Sequence, residues 1–334
     1  DANMWRLIVN SLAVEKGAEP NAPAAPLIEA TAGVEGDLSA TVKVTAPTTS
    51  VDGNELTDNI SIDVLADGEV IATKTDVPGI DITIMPGTKG ETIYIPVILT
   101  TSGLKDVVYN TFYIGEDCDV TIMAGCGIHN SGCDVSRHDG VHTFYIGKNA
   151  KVKYVEKHYG SGDGKGQRIL NPVTEAYLEE GAHAEFEMVQ IKGVDSTVRT
   201  NIAQLKSGAS FVVHEALMTH GAQTARSIYT VEMNGDDSSA DVISRSVAKD
   251  DSVQQFEACL IGNTLCKGHA ECDAIIMDRA RVIAVPKLEA NCVDAALIHE
   301  AAIGKIAGDQ LTKLMTLGLT EEQAEEQIIS GFLR

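Results

Sequence analysis

Residues 266–273 read CKGHAECD, which sets Cys266, His269 and Cys272 at intervals of three and closes them with Asp273. Two soft thiols and an imidazole are the ligand types that take zinc, copper(I), iron or an iron-sulfur cluster. On a strand, positions three apart point to opposite faces, so all three converge only across a turn, and Gly268 permits one. The plainer reading is small core residues and a turn histidine, because free cysteine is among the most often buried side chains. A second concentration, CDVTIMAGCGIHNSGCDVSRHDGVH at 118–142, holds Cys118, Cys126 and Cys133 with His129, His138 and His142. None of its spacings is a zinc-finger pair; Cys126 and His129 are its candidates for a functional role. In LIHEAAIGK, His299 and Glu300 stand side by side. At a helix start, adjacent residues do not face each other, so the two would serve different surfaces, and the bland reading gives Glu300 only a favourable place on the helix dipole.

Other motifs exclude common chemistry. GSGDGKGQR at 160–168 has the glycines of a phosphate loop but lacks the Lys followed by Ser or Thr that holds phosphate and magnesium, so it reads as a flexible corner. There is no G-x-S-x-G elbow and no H-E-x-x-H helix, and no nucleotide motif is present. The chain has 334 residues with 48 acidic against 26 basic side chains, a formal charge of -22. Nucleic acid is therefore not an expected partner, since phosphate binding uses clustered Lys and Arg. The same charge disfavours anionic membrane surfaces, and no stretch approaches 18 uninterrupted apolar residues. Seven cysteines, an odd number, in a chain that opens without a signal-peptide pattern point to the reducing cytoplasm.

The elements that would position these residues are short strands. Aromatics are scarce at 4%, while Gly, Val, Ile, Ala and Thr abound. Residues 10–37, with Pro20, Pro23 and Pro26, read as linker. Leu38, Ala40, Val42, Val44 and Ala46 then alternate, as do Ile60, Ile62 and Val64, which predicts antiparallel strands. Segment 21–72 resembles part of a fibronectin type III module, with about half the strands of that sandwich. Beyond it, TFYIGEDCDVTI (111–122), TFYIGKNAKVKY (143–154) and the looser AYLEEGAHAEFE (176–187) are one phrase repeated, and Tyr113, Tyr145 and Tyr177 fall at a constant spacing of 32. AQLKSGASFVVHE, VEMNGDDSSADVI and AIIMDRARVIAV continue it as strand, polar corner, strand. Such a period marks units that bury their apolar faces only by stacking, hence a β-solenoid. At the end, Asp309 is the expected N-cap of one helix with Leu311, Leu314 and Met315 on a face and Gly318 as its stop. Thr320 and Gln323 form a capping box for a second, with Ala324, Ile328 and Phe332 apolar. The expected divisions are 1–72, 73–297 and 298–334.

The runs TKTDVPGIDITIMPGTKGETIYIPVILT, GLKDVVYNTFYIGEDCDVTIMAGCGIHNSG, GHAECDAIIMD and IHEAAIGKIAGDQLTKLMTLGLTEEQAEEQIISGFL resemble the SufB/SufD family of iron-sulfur cluster assembly proteins across about residues 73–334. The resemblance implies a right-handed parallel β-helix with a C-terminal two-helix element, here preceded by the short N-terminal β segment. It implies a homodimeric, cytoplasmic scaffold that carries a transient iron-sulfur cluster and passes it to apo iron-sulfur proteins. A SufC-type ATPase would bind the helical region through Leu311, Leu314, Met315, Ile328 and Phe332, supplying the nucleotide hydrolysis that this chain lacks. The family's H-E-A motif falls on His299 and Glu300, which with Cys272 are the expected metal-handling residues at the dimer junction. Cys266, His269, Cys292, Cys126 and His129 are the further sulfur-handling candidates, with Lys267, His269 or bound iron expected to help form thiolate. Two rival readings are a secreted carbohydrate-active β-helix enzyme and a structural or engineered solenoid without assembly activity.

Overall fold

A computed structural model of the chain describes residues 79–333 throughout and, before them, the strands 27–32, 40–45, 62–66 and 69–74. Two units divide near residue 82. In the first, Leu27–Ala32 pairs antiparallel with Ala40–Thr45, and Ile62–Ala66 with Glu69–Lys74, whose Ala72 and Thr73 pair with Ile82 and Asp81 of Gly79–Ile84. The alternation at 40–45 and 62–64 thus reads out as antiparallel pairing, while a strand, Leu27–Ala32, occupies part of the expected linker: its LIEATA follows the last proline and keeps every backbone donor. The turn-rich stretch 46–61 of the expected fibronectin-like module lies outside the described residues.

The second unit is a β-solenoid. One wall is an eight-stranded parallel sheet, sheet A, running from Lys89–Leu99 through Asp119–His129, Lys151–Ser161, His183–Lys192, Ser210–Thr219, Ser238–Ala248 and Cys266–Ile276 to Ala295–Gly304. The facing wall, sheet B, carries Lys105–Ile114, Ser136–Ile146, the broken strand Arg168–Leu170 and Val173–Leu178, Ser196–Leu205, Thr224–Met233, Val253–Gly262 and Arg281–Ala290. The chain alternates between walls, so each strand pairs with the one a full turn away. The repeat is 32 residues where Asp119 faces Lys151 and Lys151 faces His183, and shortens to 27 where His183 faces Ser210.

Strict alternation explains why these sequences stack. Every second residue faces inward, and Phe112, Phe144, Phe186 and Phe211 follow one another along the interior with ring centroids 4.5, 5.2 and 5.0 Å apart. Each such ring contributes about 1.5–3 kcal/mol by leaving water, so the few aromatics are spent where they are stacked. On the outer face Tyr113, Tyr145 and Tyr177 stack at 5.3 and 5.2 Å, the structural counterpart of their 32-residue spacing. Corners turn on residues with positive φ, among them Asp117, Asn149, Asp237, Asp250 and Asp278, the residue types that tolerate the left-handed region. The glycine-rich 160–168 corner is packed onto the corner before it rather than loose. Gly164 N donates to Asn130 O and Gly166 N to Gly132 O, and a Cβ on Gly166 would stand 2.0 Å from Asp134 O.

The solenoid runs to Gly304, beyond the expected boundary at 297, and two helices follow: α1 (Gly308–Thr316) and α2 (Glu321–Phe332). The N-cap of α1 is Ala307 without a side-chain cap, so Asp309 lies inside the first turn, where it favours the helix dipole instead of capping it. Gly318, at φ +96°, ends that helix, and the Thr320–Gln323 capping box opens α2 with both of its reciprocal hydrogen bonds.

Candidate functional site

The last turn of the solenoid gathers most of the predicted residues, but on two faces of one wall. Cys266–Ile276 is a continuous strand with no turn at Gly268, so Cys266, Ala270 and Cys272 face the interior while Lys267, His269, Glu271 and Asp273 face out. The anticipated convergence of Cys266, His269 and Cys272 does not occur, and both thiols are buried rather than part of a surface. Lys267 and His269, on the opposite face, do not activate them. Burial, then the charges of Glu215 and Asp273, pushes the Cys272 thiol up to about 12; burial likewise raises Cys266. Both are neutral thiols at pH 7, and a metal must displace their protons to bind.

His299 and Glu300 lie on the strand Ala295–Gly304, not at a helix start, because the apolar and small residues of ALIHEAAIG extend the last turn before α1 begins. Their separation onto different surfaces follows from the pleat. The register sets His299 beside Ala270 and Cys272 beside Ala301, making Cys272 and His299 diagonal neighbours on the inward face. His299 is half-buried, and its Nδ1 is enclosed without a hydrogen-bond partner. Outside, His269 donates from Nδ1 to Asp241 Oδ1 at 2.8 Å, and its Nε2 lies 3.4 Å from Glu300 Oε1. A carboxylate behind an imidazole whose other nitrogen is free is the usual support for a metal-binding histidine. Beside it, burial and then the Asp273 carboxylate raise the Glu271 carboxyl.

Cys292 occupies the corner between the last two strands, its carbonyl accepting from Ala295 N at 3.1 Å. Cys126 and His129 are not brought together. Cys126 is buried inside, with its thiol raised by burial and then by Glu156, whereas His129 is outside, its ring nitrogens 3.0 and 2.9 Å from Ser161 and Ser131 hydroxyls. Of the helical candidates, Met315 is exposed and Leu311, Leu314, Ile328 and Phe332 are half-buried. Ala324 and Ile329 are buried on α2, and a groove of about 710 Å³ lies between α2 and the outer face of sheet A at Val189, Ala216 and Met218. Among the described residues, no three His, Cys, Asp or Glu side chains form a ready-made metal centre.

The largest feature missed from sequence is a buried ionic network in the middle of the solenoid. Arg199 donates to Glu156 and, at 3.1 Å, to His158 Nδ1, and its Nε is 3.7 Å from Glu215 Oε1. Tyr154 donates to Glu156 at 3.1 Å; Ser227, Tyr229 and Ser244 donate to Glu215 at 2.5, 3.2 and 2.7 Å. The signal was available: Arg199 shares the parity of Thr197, Ala203 and Leu205, and Glu156 that of Val152 and Tyr154.

The fold is thus a parallel β-solenoid whose terminal turn carries a thiol, two histidines and a glutamate beside unpaired strand edges. Residues 108–332 match the SufBD core domain of the SUF system for FeS cluster assembly. The chain belongs to this SufBD family of iron-sulfur cluster assembly proteins. Relatives described as iron-sulfur cluster assembly SufBD family proteins include one from Archaeoglobus fulgidus, 28% identical over 79% of this chain and 70% of its own length. One from Methanothermobacter thermautotrophicus (strain Winter) is 30% identical over 69% of this chain and 56% of its own length, and one from Methanocaldococcus jannaschii 26% identical over 70% and 74%. The chain thus spans little more than half of the Methanothermobacter relative. Among the described residues, no helix is long and apolar enough to cross a membrane.

Proposed function

We propose that this chain is a scaffold on which iron and sulfide, as substrates, are joined into a cluster at the terminal turn of the solenoid. The observation that carries this is the placement of Cys272 with His299 on the inward face, and of His269 with Glu300 on the outward face, of the last two strands of sheet A. Cys272 contributes a thiol whose proton must leave when iron binds, and the unpartnered Nδ1 of His299 is a nearby acceptor for it. His269, held by Asp241, and Glu300 offer nitrogen and oxygen donors.

The same end invites a second copy. Arg281–Ala290 and Ala295–Gly304 are the outermost strands of their sheets, so each leaves a row of backbone donors and acceptors open, with Val285, Leu288 and Ile298 exposed beside them. Pairing of two identical ends satisfies those groups and brings two Cys272–His299 sets together. The chain itself performs no nucleotide chemistry in this reading. A SufC-type ATPase docks on α1 and α2 through Leu311, Leu314, Met315, Ile328 and Phe332, works in the cytoplasm, and drives release of the cluster to apo-proteins.

Anaerobic reconstitution with ferrous iron and sulfide, read by visible absorption and Mössbauer spectra, tests the site. Cluster content should fall steeply in Cys272→Ser and in the His299→Ala/Glu300→Gln pair. Full cluster content in both variants would refute the assignment. Sedimentation and ATP turnover with and without the ATPase test the partner and the dimer separately.

A further inference from the structure

The histidine-rich stretch 136–142 has no part in the terminal site, yet it is the most concentrated donor set in the interior. On Ser136–Ile146 the inward residues run His138, Gly140, His142 and Phe144, with His138 3% and His142 2% exposed. Both imidazoles lean over the glycine between them. A Cβ built on Gly140 would lie 2.7 Å from His142 Nε2 and 3.6 Å from His138 Nε2, so both nitrogens converge on the position that a side chain there would take. The glycine is not needed for the backbone, since Gly140 has no positive φ.

Each ring is held in place. His138 gives its Nδ1–H to Asp106 Oδ2 at 2.9 Å, which fixes the tautomer and leaves the Nε2 lone pair pointing at Gly140. His142 is stacked on Phe112, with centroids 6.4 Å apart and planes 7° from parallel, and meets Tyr154 at 6.1 Å. Its Nδ1 is buried without a hydrogen-bond partner, so the ring is not oriented by an internal hydrogen bond there. Two imidazole nitrogens converging on one point, one of them backed by a carboxylate, suit a borderline first-row divalent cation and do not suit the oxygen-seeking magnesium or calcium.

We propose that His138 and His142 bind a first-row divalent cation of the ferrous-iron or zinc class over Gly140, inside the solenoid, with Asp106 as the positioning residue. Water completes the coordination, so the site is exchangeable and not a closed structural centre. The Asp106 side chain is 28% exposed, which places the way in beside it. This site stands apart from the terminal-turn reading and survives if that reading fails.

The test is anaerobic titration of the full chain with Co(II), followed by visible d–d absorption and equilibrium dialysis. One Co(II) per chain with nitrogen and oxygen ligation should remain when Cys272→Ser, His299→Ala and Glu300→Gln are combined. It should be lost in His142→Phe, which preserves the stacking, and in Gly140→Ala, which keeps both histidines but sets a methyl against the His142 nitrogen. Asp106→Asn should weaken binding roughly 10- to 100-fold, as loss of a second-sphere carboxylate does. On the wild type alone, Zn(II) should shift the Nε2 resonances of two buried histidines in long-range 1H–15N spectra. The proposal is overturned by no Co(II) retained in the combined terminal variant, or by retention undiminished in Gly140→Ala and His142→Phe. Unmoved histidine resonances at saturating Zn(II) overturn it equally, whether or not a variant folds.

Discussion

Arg199→Met is the most informative single change in the core. Arg199 lies between two buried carboxylates, and removing it leaves Glu156 and Glu215 without their cation. Breaking a buried pair from one side costs about 3–5 kcal/mol because a charge stays behind unpaired. Here the loss should fall near the lower end, about 3 kcal/mol, since Glu156 keeps the Tyr154 hydroxyl at 3.1 Å and His158 Nε2 at 3.4 Å. The pH dependence has a definite sign. Burial alone would raise the Glu156 carboxyl, but His158 and then Arg199 outweigh it and hold it well below its ordinary 4.5. In the wild type this contribution is complete above that value and is lost as pH falls below it. In Arg199→Met burial loses one of its two main opponents while His158 stays, so the carboxyl moves up and the stability it contributes at neutral pH shrinks. The difference between the proteins, measured by urea unfolding, should therefore be largest at pH 7 and shrink toward pH 4. Glu156→Gln in the Arg199→Met background should recover part of the loss. A deficit below about 1 kcal/mol at pH 7, the scale of an exposed pair, or one equal at pH 7 and pH 4, would refute the reasoning.

Three other measurements follow from the geometry. Thr320→Ala removes one half of the capping box of α2 and should cost about 1 kcal/mol, seen as faster amide exchange in residues 321–325 while the solenoid is unchanged. Gly166→Ala sets a methyl against Asp134 O; the Gly166–Gly132 hydrogen bond should be lost and the unfolding midpoint lowered, an outcome a loose corner would not give. Native thiol labelling should modify exposed Cys133 first and half-buried Cys259 and Cys292 more slowly. Cys118, Cys126, Cys266 and Cys272 should react only in denaturant, and rapid native labelling of Cys272 would contradict its raised pKa.

The solenoid was legible because its signals are local and repeated: the duplicated TFYIG phrase, Tyr113, Tyr145 and Tyr177 at one spacing, and Gly, Asp or Asn at the corners. The capping box of α2 was equally readable, being complete within four residues. The site was less so. Reading a turn at Gly268 overlooked that a glycine on an inward position can simply make room, here for Leu297 and Met233, whose side chains lie where its Cβ would go. Spacing then placed His269 on the wrong side of the wall from Cys266 and Cys272. The pairing of His269 with Asp241 and Glu300 joins residues on three successive strands, and only the register reveals it. The Glu156–Arg199–Glu215 network is distributed in the same way, over residues 43 and 16 apart in sequence.

The shortening of the repeat from 32 to 27 residues shows where this architecture can change length. One residue gained or lost within a strand would invert that strand, sending Glu156 and His158 into water and Lys153 and Lys157 into the interior. The same gain or loss at a corner leaves both faces intact. Insertions and deletions that preserve the protein must therefore gather at its corners, and the strands should keep their frame however far their side chains diverge.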